Sequence, residues 1–131
     1  MQNLTKEMRT MIEEQFPFLA TVDKDGYPKI GPKGSLHVLD SQHLIYYEHT
    51  FRHAYSNISA NGRVAVAVAD RQAQKGFRFE GLAHLHEDDE ITERFLPKQI
   101  LERFNRGAVV IIDIHSVYKL DNTLEAGTRI I

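Results

Sequence analysis

The six residues at 64–69, Val-Ala-Val-Ala-Val-Ala, constrain the fold more than any other stretch of the chain. Large and small apolar side chains alternate along them, so neither face of a strand made from them would be polar. A strand in a half-exposed sheet carries one polar face, and this strand therefore needs cover on both sides. The pattern predicts a strand of a closed barrel with a helix packed against its outside.

Five further segments have the spacing and composition of strands. They lie at residues 18–22, 28–39, 44–48, 77–85 and 108–114. Turns at Asp25-Gly26 and at residues 40–42 separate the first three, which we expect to form an antiparallel meander.

Helical spacing is confined to three places: residues 4–15, a short segment after Thr50, and residues 88–104, where Pro97 divides the helix. Few helices among six strands predict an α+β, mainly β fold. We expect a six-stranded antiparallel barrel with short flanking helices, in a single domain that spans residues 1–131.

The composition excludes several classes of function. The chain has no cysteine, which rules out a disulfide framework and a cysteine nucleophile, so redox chemistry would need a bound organic cofactor. The net charge is −2 and basic residues are scattered among acids, which argues against a nucleic-acid partner or a membrane surface. No apolar run has membrane-spanning length and residues 1–10 lack a secretory leader, so we expect a cytoplasmic protein.

Residues 50–60 predict an anion-binding helix start. The segment reads Thr-Phe-Arg-His-Ala-Tyr-Ser-Asn-Ile-Ser-Ala and places Thr50, Arg52 and His53 in the expected first turn. A helix start presents free N–H groups and partial positive charge, and the Arg52 guanidinium is a forked donor suited to phosphate. The alternative is an ordinary surface helix that Thr50 caps, with Arg52 in solvent.

Seven histidines raise the question of a metal site. His84 and His86 are two residues apart on a predicted strand and so share a face, but a third ligand, Glu80 or His37, cannot be placed from the sequence. Exposed histidines are the commoner explanation, and we predict no metal site.

Four segments, in this order and spacing, resemble the pyridoxamine 5′-phosphate oxidase-like split-barrel flavoproteins, and more closely their short FMN-binding members. They are residues 30–36, residues 50–54, Phe79-Glu80-Gly81 with Ala83, and residues 107–114 followed by Val117-Tyr118. The resemblance covers about residues 18–120 and implies a split β-barrel that binds FMN. It also implies a homodimer with FMN at the subunit interface.

The resemblance assigns residues to the FMN phosphate. Thr50, Arg52 and His53 match the family's phosphate-binding positions, although the family often has lysine in place of His53. Phe51 stands where many relatives carry a small hydroxyl residue. Asn57, one turn beyond His53, points either back toward the ribityl phosphate or into the end of the helix.

The resemblance places the flavin ring along the second strand, against Lys33, Gly34 and Ser35. On their own, a proline and two glycines here are typical of an irregular strand edge with a solvated lysine. Arg129, near the C-terminus, is a candidate contact from the second subunit, and the alternative is a solvated terminal arginine.

The first functional hypothesis is a small flavin-dependent oxidoreductase with an unknown substrate and no catalytic side chain assigned. The arginine- and histidine-bearing C-terminal signature of true pyridoxamine 5′-phosphate oxidases is not visible, and the chain is short for that group. Two alternatives stay open. One is a non-enzymatic FMN carrier or electron-transfer module, and the other is a split-barrel binding domain without flavin, including a binder of another cofactor such as haem.

Overall fold

The fold is built on one antiparallel sheet of seven strands, which the computed structural model describes within residues 2–131. In chain order the strands are β1 (Phe18–Val22), β2 (Pro28–Pro32), β3 (His37–Asp40), β4 (His43–Glu48), β5 (Arg63–Asp70), β6 (Lys75–His86) and β7 (Ala108–Lys119). The helices are α1 (Lys6–Glu14), α2 (His53–Asn61), α3 (Glu90–Phe95) and α4 (Lys98–Phe104). The predicted mainly β class with short helices is confirmed.

The second predicted strand, residues 28–39, is in fact two strands, which is why the sheet has seven rather than six. β2 ends at Pro32, which has no N–H to continue a ladder, and a turn follows in which the Leu36 N–H donates to the Lys33 carbonyl at 3.1 Å. β2 and β3 then lie at opposite edges of the sheet, in the order β2-β1-β5-β6-β7-β4-β3. The antiparallel pairings across the two predicted turns, β1 with β2 and β3 with β4, are present, but they do not form one continuous meander. Residues 33–35 lie in a connection rather than on a strand face.

This short connection forces the sheet to curl. A chain that runs from Pro32 to His37 spans at most about 18 Å between Cα atoms. A flat sheet of seven strands would hold its edge strands about 29 Å apart, at about 4.8 Å per strand. The two edges are therefore drawn together into a barrel that is split, not closed, because β2 and β3 are the edge strands.

One hydrophobic core lies on the inner face of the curled sheet. Val64, Val66 and Val68 of β5 are buried in it, and α1 adds Met8 and Ile12. The opposite face of β5 borders an open groove in which Ala65 meets residues of β1 and β2. The prediction that a helix packs against this outer face is therefore wrong. The small alanine side chains leave the face open to contact with another protein surface.

Residues 88–104 form two helices, as predicted. The Asp89 carboxylate accepts the Thr92 N–H at 2.9 Å and caps α3, and Pro97 precedes α4. Among residues 2–131, no helix combines the length and the apolar character needed to cross a bilayer.

Candidate functional site

A cleft of about 230 Å³ lies between the β2 edge and the start of α2. Its lining residues are Leu19, Thr21, Lys29, Ile30, Gly31, Lys33, Thr50, Arg52, His53 and Ala54. Four of the residues predicted from the sequence, Lys33, Thr50, Arg52 and His53, thus come together from two separate segments. Of the lining residues, four are basic and none is acidic, so the cleft is suited to an anion.

The start of α2 faces this cleft without a side-chain cap. The helix begins at His53, with Arg52 as its N-cap residue, and no side chain makes a capping hydrogen bond there. The alternative, in which Thr50 caps the helix, is wrong, because the helix starts later and the Thr50 hydroxyl donates to Glu48 instead. Since His53 and Ala54 line the cleft, the first N–H groups of α2 are placed where an anion can accept them.

The loop that leads into α2 is built on a buried glutamate. Glu48, only 1% exposed, accepts three hydrogen bonds on Oε2: from the Thr50 N–H at 3.0 Å, the Thr50 hydroxyl at 3.1 Å and the Phe51 N–H at 3.1 Å. Phe51 has a φ of 53°, in the left-handed region that costs a non-glycine residue about 1 kcal/mol or more. The bonds to Glu48 stabilise this turn, and the turn sets the position of Arg52.

The outer side of the same loop packs against Arg106. Its guanidinium lies 3.8 Å from the centre of the Phe51 ring and donates to the Tyr55 hydroxyl at 3.3 Å. Glu87 accepts from it at 2.6 and 2.9 Å, and these bonds raise the pKa of Arg106 and lower the pKa of Glu87. Phe51, which departs from the family pattern, is thus held by packing on a cation.

Lys33 reaches back toward β4. Its Nζ lies 5.2 Å from the centre of the Tyr46 ring, which is fully buried. Burial, with a smaller contribution from the nearby Glu48 charge, raises the pKa of the Tyr46 hydroxyl well above its usual value. Tyr46 therefore stays neutral and serves as packing under Lys33, not as an acid or base at neutral pH.

Gly34 and Ser35 lie beside the cleft rather than in its lining. They border a neighbouring pocket with Phe16 and His37, and the Ser35 oxygen accepts the Tyr47 N–H at 3.0 Å. This bond ties the connection between β2 and β3 to β4.

Asn57 and Arg129 also lie outside the cleft lining. The Asn57 side chain is buried, and its Nδ2 donates to the Thr21 hydroxyl at 2.9 Å, which joins α2 to β1. Arg129 Nε donates to the Ile131 carbonyl at 3.2 Å, and within one chain it borders a different pocket with Thr5 and Lys75.

Two charged residues of the site were missed from the sequence. Lys29 lies on the same face of β2 as Gly31, and this period of two was the available signal. Glu48 stands between an apolar run and Thr50, and nothing in the sequence marks it as buried.

The histidines considered as metal ligands pair with carboxylates. His84 Nε2 lies 2.8 Å from Asp113, and His86 Nδ1 lies 2.8 Å from Asp89. Within residues 2–131 no three histidine, aspartate or glutamate side chains form a group that could hold a metal ion.

Comparison with known proteins identifies the family. Residues 4–121 match the family model described as pyridoxamine 5′-phosphate oxidase. The structure of a candidate pyridoxamine 5′-phosphate oxidase from Lactobacillus delbrueckii is 38% identical with a TM-score of 0.78, and the match covers 88% of this chain and 93% of that chain. HupZ from group A Streptococcus is 34% identical with a TM-score of 0.81, over 95% of this chain and 99% of that chain.

A more distant structure, an FMN-binding protein from Syntrophomonas wolfei, is 17% identical with a TM-score of 0.70, over 88% of this chain and 84% of that chain, and shares the fold alone. The match to the family model spans most of the chain, and the two nearer structures share more than 30% of its sequence. The chain therefore belongs to the pyridoxamine 5′-phosphate oxidase family, which confirms the resemblance seen in its sequence.

Proposed function

We propose that the protein is an FMN-binding flavoprotein and that the cleft beside α2 takes the FMN phosphate. The observation that carries this proposal is the set of basic side chains, Lys29, Lys33, Arg52 and His53, around an uncapped helix start. A phosphate group matches such a site because it accepts both backbone N–H groups and a guanidinium. The FMN-binding protein from Syntrophomonas wolfei has the same fold and supports this choice of ligand.

We assign the flavin ring to the side of the cleft at Gly31, Lys33, Gly34 and Ser35. A Cβ added to Gly31 would have no atom within 4 Å, and one added to Gly34 would only reach Phe16 at 4.0 Å. The backbone is therefore accessible to a flat ring at both positions. Lys33 would stabilise a reduced, anionic ring by charge attraction.

We propose a homodimer with FMN at the subunit interface, and the outer sheet face supports it. On this face the strand register aligns Ile30 of β2, Ala20 of β1, Ala65 of β5 and Glu80 of β6 in one row. Phe18 and Leu82 lie on the same face, in neighbouring rows. Ile30 is 72% exposed and also lines the cleft, so a second copy packed on this face would border the ligand. Arg129 would contact FMN only from that second subunit.

Bound FMN would supply hydride or electron transfer through its N5 atom. The residues of this chain bind the phosphate, orient the ring and limit access to it, and we assign no side chain as an acid or base. We propose a small flavin-dependent oxidoreductase in the cytoplasm.

The test is FMN binding by the purified protein, with Arg52→Ala as the informative variant. The wild type should take up FMN and show a flavin spectrum, and Arg52→Ala should bind about 10- to 100-fold more weakly because it loses charge-assisted bonds to the phosphate. Arg71→Ala, in the exposed turn after β5, is the matched control and should bind as the wild type does. A wild type that takes up no FMN would refute the proposal, and an unchanged affinity in Arg52→Ala would move the phosphate elsewhere.

Turnover separates an enzyme from a carrier. Reduction of the bound flavin by a nicotinamide donor, followed by catalytic reoxidation with an acceptor, would support the oxidoreductase. A flavin that binds tightly but passes through a single reduction without turnover would favour the carrier.

A further inference from the structure

We infer that Glu48, a residue outside the cleft lining, is the positioning residue of the phosphate site. This inference rests on the proposed function for the identity of the ligand. Glu48 has three hydrogen bonds to the loop residues Thr50 and Phe51, and Arg52 follows directly. The carboxylate therefore fixes the turn that presents the guanidinium to the ligand.

The loop is the sole partner of this carboxylate within residues 2–131. All three bonds go to Oε2, and Oε1 is buried without a hydrogen-bond partner there. A buried carboxylate with one unpartnered oxygen costs free energy of folding. The buried carboxylate is explained by its bonds to the turn at Phe51, because the left-handed φ of Phe51 needs support from its surroundings.

The bond from Thr50 to Glu48 changes the role expected of Thr50. A hydroxyl group has one proton, and the Thr50 hydroxyl donates it to the Glu48 carboxylate. Toward the cleft the Thr50 oxygen can then act only as an acceptor. An ionised phosphate oxygen is also an acceptor, so the two cannot form a hydrogen bond. Thr50 therefore holds the loop, while the side chains of Lys29, Arg52 and His53 and the N–H groups of α2 bind the anion.

Removal of the Glu48 charge has opposite expected effects on anion binding, according to whether its charge or its support of the loop matters more. Glu48 contacts Thr50, which lines the proposed anion site. If electrostatic repulsion between Glu48 and the anion dominated, removal of the Glu48 charge would strengthen anion binding. If placement of the loop dominates, the same change weakens binding. The sign of the effect therefore tests the inference directly.

The experiment measures the binding of FMN, riboflavin and inorganic phosphate to Glu48→Gln, with thermal unfolding recorded beside it. We expect about tenfold weaker binding of FMN and of phosphate, because a neutral amide is a poorer acceptor for the three donors. Riboflavin lacks the phosphate, and its affinity should change by less than about twofold. A general structural defect would instead lower the affinity for both flavins.

Asp89→Asn is the matched control. The Asp89 carboxylate also accepts the N–H and the hydroxyl of one threonine, Thr92, but far along the chain at the start of α3. Asp89→Asn should leave the ratio of the FMN affinity to the riboflavin affinity unchanged. Thr50→Val supplies a second readout that does not depend on the folding of Glu48→Gln, and it should weaken FMN binding much less than Arg52→Ala does.

Tighter or unchanged FMN binding by Glu48→Gln would overturn the inference, as would a loss in Thr50→Val that equals the loss in Arg52→Ala. A wild type that binds phosphate but not FMN would refute the proposed function, and the phosphate affinities would still decide the role of Glu48. A wild type that binds neither would refute both.

Discussion

At the scale of single residues, Asn57 shows how a residue that suits a ligand can serve the fold. Its Nδ2 donates to the buried Thr21 hydroxyl at 2.9 Å, and both side chains are almost fully buried. We expect Asn57→Ala to lower the free energy of unfolding by about 1–3 kcal/mol, because it leaves Thr21 without its partner and opens a small cavity. Urea unfolding of the ligand-free protein measures this loss.

A double-mutant cycle with Thr21→Val is the control for Asn57. If the two side chains stabilise the protein through their mutual bond, the double variant should be more stable than the sum of the single losses implies. Unchanged stability in Asn57→Ala together with a large loss of FMN affinity would instead assign Asn57 to the ribityl phosphate.

At the scale of elements, Gly81 permits the close pairing of β6 and β7. The register shifts between Glu80 and Gly81, and a Cβ at position 81 would lie 1.8 Å from the Asp113 carbonyl oxygen. We expect Gly81→Ala to lower the free energy of unfolding by about 3 kcal/mol or more, since a backbone atom must move. Gly31→Ala, at a position with free space, should leave it within about 1 kcal/mol of the wild type.

Equal stability of the two glycine variants would show that β7 shifts at little cost. That result would contradict the assignment of Gly81 to close strand pairing. The measurement is chemical unfolding in the absence of flavin, so that a ligand role of Gly31 does not enter.

At the scale of the whole molecule, the outer sheet face is the surface on which we propose that a second copy of the chain packs. Ile30 is the most exposed of its large side chains and reaches the cleft as well. Ile30→Lys places a charge in the proposed interface, and light scattering after size exclusion should then show monomers where the wild type forms dimers. Leu101→Lys, on exposed α4, is the control and should stay dimeric.

FMN affinity connects the dimer to the site. If the cofactor lies at the subunit interface, Ile30→Lys should lose FMN as it loses the dimer. A dimeric Ile30→Lys would contradict the proposed interface.

The sequence by itself determined the mainly β class, most of the strands and the family. The patterns at residues 64–69 and at residues 77–85 are local properties of the chain, and the strands that they predict are present as β5 and β6. The structure decided that Val64, Val66, Phe77 and Phe79 face the core. The helix break at Pro97 was predictable for the same reason, because proline acts on its own neighbours. The grouping of Thr50, Arg52 and His53 was readable because these residues are adjacent in the chain.

Only the tertiary structure decided that residues 28–39 form two edge strands, that the barrel is split, and that Lys29 joins Arg52 at one cleft. It also decided that the Thr50 hydroxyl faces Glu48 and that Asn57 faces Thr21. The Asn57–Thr21 bond depends on which side chains folding brings to within about 3 Å, and the spacing of residues in the sequence does not give distances between separate segments. The Thr50–Glu48 bond is local, but it depends on the left-handed turn at Phe51. Residues 50–60 predicted an anion site, and the fold showed that Thr50 and Asn57 in this segment form hydrogen bonds with Glu48 and Thr21.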